Sequence, residues 1–216
     1  MDLSFNPVEL ILHIDKHLQE VVNFCGPWTY VILFLVIFCE TGLVVTPFLP
    51  GDSLLFAIGA LAGISVLDIK IVIPLLFVAA VVGDAVNYSI GRYLGPAAFD
   101  HPKLKPFLKP QYLRKTEEFY ERYGGKAIVI ARFVPIVRTL APFLAGVGKM
   151  NYKKFSFYNI SGGAVWVLSL TIAGYLFGEL PIVKNNFGLV VIGIIIVSVM
   201  PAVFEYIKAS REARTA

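Results

Sequence analysis

The stretch from Trp28 to Gly63 constrains the fold most, because it is mostly apolar and carries no charged residue apart from Glu40 and Asp52. A straight helix over this range would be about 54 Å long, whereas the hydrocarbon core of a membrane is about 30 Å thick. Three helix-breaking residues interrupt the middle of the stretch, namely Pro47, Pro50 and Gly51. We therefore predict a re-entrant hairpin over residues 28–63, which enters and leaves the membrane on the same side.

A second apolar segment, residues 127–147, repeats this pattern. The sequence TPFLPG at residues 46–51 recurs loosely as APFLAG at residues 141–146, with four of six positions identical. The helix breakers of the second segment are Pro135, Pro142 and Gly146. Helix breakers at matching places in two halves of a membrane protein point to a transporter binding site, so we predict a second re-entrant hairpin over residues 127–147. The alternative is a chance match, because Pro and Gly are common in membrane helices.

The composition is that of an integral membrane protein. Hydrophobic residues make up 57% of the 216 residues and the mean hydropathy is +0.73, which is too apolar for an ordinary soluble domain. We expect a single all-α membrane domain over residues 1–216. No metal-ligand spacing, catalytic triad or nucleotide fingerprint is present, so we expect no metal, no cofactor and no enzymatic activity. The net charge of +4 lies in loops and does not indicate nucleic-acid binding.

The remaining elements follow from hydropathy and charge. Apolar runs predict transmembrane helices over residues 71–93, 155–177 and 187–204. Helical spacing of apolar residues predicts an amphipathic helix over residues 8–25. Residues 94–126 form a polar loop, with a surface helix expected before Gly124.

The distribution of lysine and arginine predicts the topology. The loop over residues 94–126, the loop over residues 149–154 and the C-terminus are basic, which places them in the cytoplasm. The N-terminal region is acidic, which suits the periplasm. These assignments agree only if both broken segments re-enter, so the two halves are predicted to form an inverted repeat of hairpin plus transmembrane helix. The two repeated spans end alike, with Gly91 and Gly95 in the first and Gly174 and Gly178 in the second, as small residues for close packing.

Four ionisable residues in apolar sequence are the candidate functional residues, namely Glu40, Asp52, Arg132 and Arg138. Ionised groups at membrane depth are costly and usually functional. We expect the two arginines to bind a phosphate, because a guanidinium donates two hydrogen bonds to one oxyanion. The two carboxylates would exchange protons and compete for the arginines. The alternative is a static lock between the two hairpins.

Two further polar residues, Asp84 and Asn87, are secondary candidates that hydrogen bonding between helices explains equally well. Trp28, Tyr30, Trp166 and Tyr175 are predicted to be interfacial anchors or packing residues rather than parts of a site.

Three motifs resemble the bacterial DedA family, which belongs to the superfamily that includes the SNARE-associated Golgi proteins. They are ETGLVVTPFLPGD at residues 40–52, GD at residues 83–84 and RFVPIVRTLAPFLAG at residues 132–146. The resemblance implies a bacterial inner-membrane protein with paired re-entrant hairpins. It also implies a role in returning undecaprenyl phosphate, the cell-wall lipid carrier, to the inner leaflet and in proton-dependent homeostasis. The family's important acidic pair matches Glu40 and Asp52, and its important arginines match Arg132 and Arg138.

The leading hypothesis is therefore a proton-coupled transporter or flippase of a lipid phosphate, with membrane lipids, a polyprenyl phosphate and protons as partners and with homo-oligomerisation left open. A cation/proton antiporter or drug exporter is the first alternative, although such a carrier has little use for two arginines. A membrane scaffold that transports nothing is the second.

Overall fold

The computed structural model describes residues 22, 24–43, 51–94, 118, 120–181 and 183. This part of the chain is helical and contains no strand, which confirms the all-α prediction. The α-helices are α1 (Trp28–Gly42), α2 (Gly51–Gly63), α3 (Ile69–Leu94), α4 (Ala127–Ala131), α5 (Pro135–Val147) and α6 (Tyr152–Glu179), and a 3-10 turn over Gly124–Lys126 precedes α4.

Two of these helices, α3 and α6, are long and apolar enough to cross a membrane. They contain the predicted spans over residues 71–93 and 155–177 and extend them by two or three residues at each end, with the exception of the C-terminal end of α3. Each begins behind a capping side chain. Asp68 accepts a hydrogen bond from the Lys70 backbone N–H, and Asn151 accepts one from the Lys153 backbone N–H. The span predicted over residues 187–204 and most of the amphipathic helix predicted over residues 8–25 lie outside the described residues.

The outer bounds of both predicted hairpin segments agree with helix ends. Helix α1 begins at Trp28 and α2 ends at Gly63, while α4 begins at Ala127 and α5 ends at Val147. Between α1 and α2, residues 44–50 with Pro47 and Pro50 lie outside the described residues, and Gly51 is the first residue of α2. The re-entry of these segments on one side of the membrane stays a prediction.

The break in the second segment is not where the APFLAG sequence predicts it. The turn falls at residues 132–134, and Pro135 begins α5 at a position where the missing N–H carries no penalty. Pro142 and Gly146 lie inside α5, so their prediction as hairpin breakers is wrong. Membrane helices tolerate an internal proline because surrounding groups satisfy the freed carbonyl.

The chain divides into two compact units, which we describe separately. The first comprises residues 1–29, 50–72 and 170–216, and the second comprises residues 30–49 and 73–169. In the first unit α2 packs directly against the C-terminal half of α6. A Cβ atom at Gly59 would collide with the Thr171 carbonyl, and one at Gly174 would collide with the Phe56 carbonyl. The missing side chains let the two backbones touch.

The second unit repeats this contact between α5 and the C-terminal half of α3. A Cβ atom at Gly146 would collide with the Tyr88 carbonyl, and one at Gly91 would collide with the Phe143 carbonyl. The matched contacts support an internal repeat and confirm the packing role predicted for Gly91 and its counterpart in α6. The contacts also correct the alignment of the two halves. The match of TPFLPG with APFLAG pairs Gly51 with Gly146, whereas the helix contacts pair Gly59 with Gly146.

Candidate functional site

Asp84 and Arg132 form a buried ion pair inside the second unit. Asp84 lies in the middle of α3, and Arg132 lies in the turn that follows α4. Arg132 Nη2 donates to Asp84 Oδ2 at 2.5 Å, and both side chains are about 5% exposed. A charge so far from water is costly unless it is paired, so each residue depends on the other.

The same nitrogen of Arg132 has a second acceptor on α6. Arg132 Nη2 donates to Asn159 Oδ1 at 2.6 Å, and Asn159 Nδ2 donates to the Val81 carbonyl at 2.9 Å. Asn159 is buried. Asn159 was not among the predicted site residues, although an asparagine within an apolar span is itself a signal of function.

Glu40 and Arg138 form the second buried ion pair of this unit. Glu40 lies in the last turn of α1, Arg138 lies in the first turns of α5, and Arg138 Nη2 donates to Glu40 Oε1. The Glu40 side chain is 1% exposed. A carboxylate of the first apolar segment therefore meets an arginine of the second.

Glycines bring the charged side chains together. The end of α1 meets α3 where a Cβ atom at Gly83 would overlap Thr41 Oγ1, which sets Thr41 and Glu40 beside Asp84. On α6, a Cβ atom at Gly162 would lie 3.3 Å from Arg132 Nε, and one at Gly163 would lie 3.1 Å from a methyl group of Val81. These glycines leave the space that the Arg132 side chain occupies.

Asn87 joins the two hairpin segments through their backbones. Its Nδ2 donates to the Thr41 carbonyl of α1 at 3.1 Å and to the Thr139 carbonyl of α5 at 2.9 Å. The Thr41 carbonyl lies in the last turn of its helix, where carbonyls lack intrahelical partners. Asn87, a secondary candidate from the sequence, therefore positions the backbone next to both ion pairs.

Trp166 of α6 lies against both arginines. The guanidinium carbons of Arg132 and Arg138 are 5.7 and 5.8 Å from its ring centre, within the range of a cation–π interaction. Trp166 is buried at the centre of its helix, so its prediction as an interfacial anchor or mere packing residue is corrected. A tryptophan at mid-span was the available signal, because anchoring tryptophans lie near the ends of spans.

These side chains enclose one small cavity. It is lined by Glu40, Thr41, Asp84, Arg132, Arg138, Thr139 and Trp166, and it leaves about 10 Å³ for the centre of a water molecule. That is room for about one water. A phosphate therefore needs the ion pairs to open before it can reach the arginines.

Tyr120 lies near this cluster, outside the apolar spans. Its hydroxyl donates to the Ala141 carbonyl at 2.7 Å. Burial, together with the nearby charge of Asp84, raises the pKa of the Tyr120 phenol. Tyr120 therefore keeps its proton and remains a neutral hydrogen-bond donor at any physiological pH.

The fourth predicted residue, Asp52, belongs to the other unit. It lies in the first turn of α2, where a carboxylate interacts favourably with the helix dipole. The partner of Arg132 in the structure is Asp84, which the sequence placed second. No group of three or more potential metal ligands occurs among the described residues.

Known proteins resemble this chain over most of its length. Residues 49–176 match the VTT domain. The chain is 54% identical to protein DedA of Escherichia coli strain K12, with 100% of this chain and 99% of that relative aligned. It is 40% identical to an uncharacterized membrane protein of Mycobacterium leprae over 84% of this chain and 82% of the relative. It is 39% identical to the inner membrane protein YqjA of Escherichia coli K12 over 71% and 69%, respectively.

No solved structure gives a significant match. The VTT match covers more than half of the chain and includes the GD motif of α3 and both arginines, and the alignment with DedA covers both proteins almost completely. The helices α3 and α6 are apolar enough to cross a membrane, and the relatives are named as membrane proteins. The chain is therefore a membrane protein that belongs to the DedA family of VTT-domain proteins.

Proposed function

We propose that this protein is a proton-coupled transporter that moves a lipid phosphate between the leaflets of a bacterial inner membrane. The observation that carries the proposal is the pair of buried arginines at one cavity, each held by a carboxylate. Arginine is always charged, while a carboxylate gains or loses a proton. Such a pair can exchange its internal partner for an external anion.

The substrate class follows from the donors. Arg132 and Arg138 together offer planar forks that suit the tetrahedral oxygens of a phosphate, whereas a cation carrier would bring two unneeded positive charges into the membrane. Glu40 competes with the phosphate for Arg138 and exchanges a proton when it yields. Asp52 remains a candidate for a second proton-exchanging group, as the family motif implies.

The lipid part of the substrate stays in the bilayer. The exposed face of α3 carries Val78, Val82 and Val86, which suits contact with acyl or polyprenyl chains. Undecaprenyl phosphate is the proposed substrate, and its return to the inner leaflet is the proposed physiological step. In this scheme both hairpin segments re-enter the membrane, the C-terminus is cytoplasmic and the N-terminus is periplasmic.

The closed cavity also favours a second candidate function, a membrane scaffold that transports nothing. Two ion pairs around room for one water would serve equally as a permanent lock between helices. A lock needs the pairs to stay closed, whereas a transporter needs them to open in each cycle.

A flipping assay in proteoliposomes tests the proposal. A polyprenyl phosphate that can be trapped chemically at one surface should cross the bilayer in the presence of the purified protein, and faster under a pH gradient. Arg132→Ala and Arg138→Ala should abolish this movement, and Asp52→Asn should remove its response to the gradient. Ser161→Ala is the matched control, because among the described residues the Ser161 hydroxyl donates to carbonyls of its own helix, α6. No movement above empty vesicles at any gradient favours the scaffold.

A further inference from the structure

One nitrogen of Arg132 carries both of its polar contacts among the described residues. Nη2 donates to Asp84 Oδ2 and to Asn159 Oδ1, so both of its hydrogens are engaged. The Nε atom is buried and donates to no described residue. Among the described residues Nε therefore has no acceptor, whereas both hydrogens of Nη2 are already donated.

The shape of a guanidinium makes this nitrogen decisive. Two edges of the group can donate a parallel pair of hydrogen bonds to an oxyanion. One edge consists of Nε and Nη2, and the other consists of Nη1 and Nη2. Nη2 belongs to both edges. Arg132 therefore cannot donate a parallel pair of hydrogen bonds to a phosphate until one of the two bonds from Nη2 is broken.

Asp84 is the acceptor that can leave. A carboxylate can be neutralised by a proton, whereas the amide of Asn159 cannot. Within the described residues Asp84 faces the guanidiniums of Arg132 and Arg138, the carboxylate of Glu40 and the phenol of Tyr120. An arriving phosphate adds negative charge to this group, which favours protonation of a carboxylate that shares the same cations.

Asn159 is the acceptor that stays. Its amide is held by the bond from Nδ2 to the Val81 carbonyl of α3, and this bond directs Oδ1 at Arg132. The ring of Trp166 lies against the same guanidinium. With these two contacts kept, Arg132 would remain in place while its bond to Asp84 opens.

We propose that Asp84 and Asn159 act on Nη2 of Arg132 as a proton-operated release and a permanent anchor. Protonated Asp84 yields its place on Nη2 to an oxygen of a phosphate monoester, and the bond to Asn159 keeps the guanidinium in position to receive it. Asn159 is thus a positioning residue, and Asp84 is a proton-exchanging group of this arginine. This inference rests on the function proposed above, because it assumes that a phosphate binds.

The protein carries a suitable reporter. Only two tryptophans are present, and Trp28 is 70% exposed at the start of α1. In a Trp28→Phe background the fluorescence of Trp166 reports directly on the two arginines. The probe is farnesyl phosphate added to the full-length protein in detergent, and farnesol, which lacks the phosphate, is the control ligand.

The expected result is a ratio of two affinities for farnesyl phosphate, that of Asp84→Asn relative to that of the parent. A ratio is used because the phosphate of the ligand itself gains and loses a proton as the pH changes. Asp84→Asn, which imitates the protonated carboxyl, should bind farnesyl phosphate roughly tenfold or more tightly than the parent at high pH. The advantage should shrink towards none as the pH falls and the parent's Asp84 takes up its proton. In an Asn159→Ala background the Asp84→Asn exchange should bring a much smaller gain, because the released arginine is no longer held.

Several outcomes would overturn the inference. A parent that binds farnesyl phosphate no better than farnesol removes the proposed function and this inference together. A parent that binds, with an Asp84→Asn ratio that is constant over pH, removes the release role of Asp84 and leaves the function standing. If Asp84→Asn does not accumulate, Asn159→Asp replaces it. This variant sets two carboxylates on Nη2 and should bind more weakly than the parent at high pH, and equal binding contradicts the proposal.

Discussion

Arg138 of α5 donates a hydrogen bond to the Glu40 carboxylate of α1, although 98 positions separate them in the chain. Removing either partner leaves an uncompensated buried charge, which costs roughly 3–5 kcal/mol. Glu40→Gln and Arg138→Gln should therefore each lower membrane abundance and thermal stability in detergent. The double exchange should restore abundance, because no charge remains unpaired, yet it should not restore transport.

The double exchange separates the two functions considered above. The double variant lacks both the arginine that would bind the phosphate and the carboxylate that would exchange a proton. If the protein is a transporter, this variant therefore stays inactive. Quantitative blotting of membranes and the flipping assay measure the two properties independently. A double variant that is abundant and fully active would contradict the roles proposed for Glu40 and Arg138.

Lysine should replace neither arginine. Arg132→Lys and Arg138→Lys keep the positive charge but lose the planar fork that donates two parallel hydrogen bonds. At either position, the lysine also replaces a guanidinium that lies over the Trp166 ring. We expect both variants to reach near-normal abundance with at least about tenfold slower flipping. Flipping at the parental rate by either lysine variant argues against bidentate phosphate binding.

Asn87→Ala should destabilise the second unit without changing any charge. The exchange removes the donors to the Thr41 and Thr139 carbonyls. Interhelical hydrogen bonds in membrane proteins are worth about 0.6–1.7 kcal/mol each, so we expect a loss of about 1–3 kcal/mol. Thermal unfolding in detergent measures it. Ser161→Ala is the control, because within the part of the chain that the structure describes its hydroxyl donates to carbonyls of its own helix. Equal stability of the two variants would show that Asn87 does not hold the segments together.

The matched helix contacts predict matched sensitivity to a single methyl group. Gly146→Ala forces a Cβ atom onto the Tyr88 carbonyl, and Gly59→Ala forces one onto the Thr171 carbonyl. Because the backbone must move in both cases, the free energy of unfolding of each variant should fall by about 1–3 kcal/mol or more. Ser89→Ala should change stability by less than about 0.5 kcal/mol. The repeat register proposed here is wrong if Gly51→Ala, rather than Gly59→Ala, reproduces the effect of Gly146→Ala.

Cysteine labelling tests the topology. In a background where Cys25 and Cys39 are replaced by serine, a cysteine at the exposed Ser65 should react with a membrane-impermeant maleimide from the periplasm. Cysteines within residues 103–109 or 210–216 should react only after the cytoplasmic face is opened, because basic segments stay inside. Labelling of both termini from one face would contradict the predicted scheme of three spans and two re-entrant hairpins.

Local properties of the sequence determined the helical elements. The bounds predicted for the segments from Trp28 to Gly63 and from Ala127 to Val147 agree with helix ends, because hydropathy and flanking polar residues act over a few neighbouring positions. The position of the break inside the second segment could not be predicted in this way. Pro142 breaks no helix, since a proline acts through its surroundings as well as through its own ring.

The tertiary structure alone decided which charges meet. The sequence selected Arg132, Arg138 and Glu40 because charge in an apolar stretch is conspicuous, but it could not assign Asp84 to Arg132. Ion pairing depends on which helix faces lie together, and here this depends on close approaches at glycines such as Gly83. Trp166 entered the site for the same reason, because a buried ring gains its role from the two guanidiniums that distant segments bring to it.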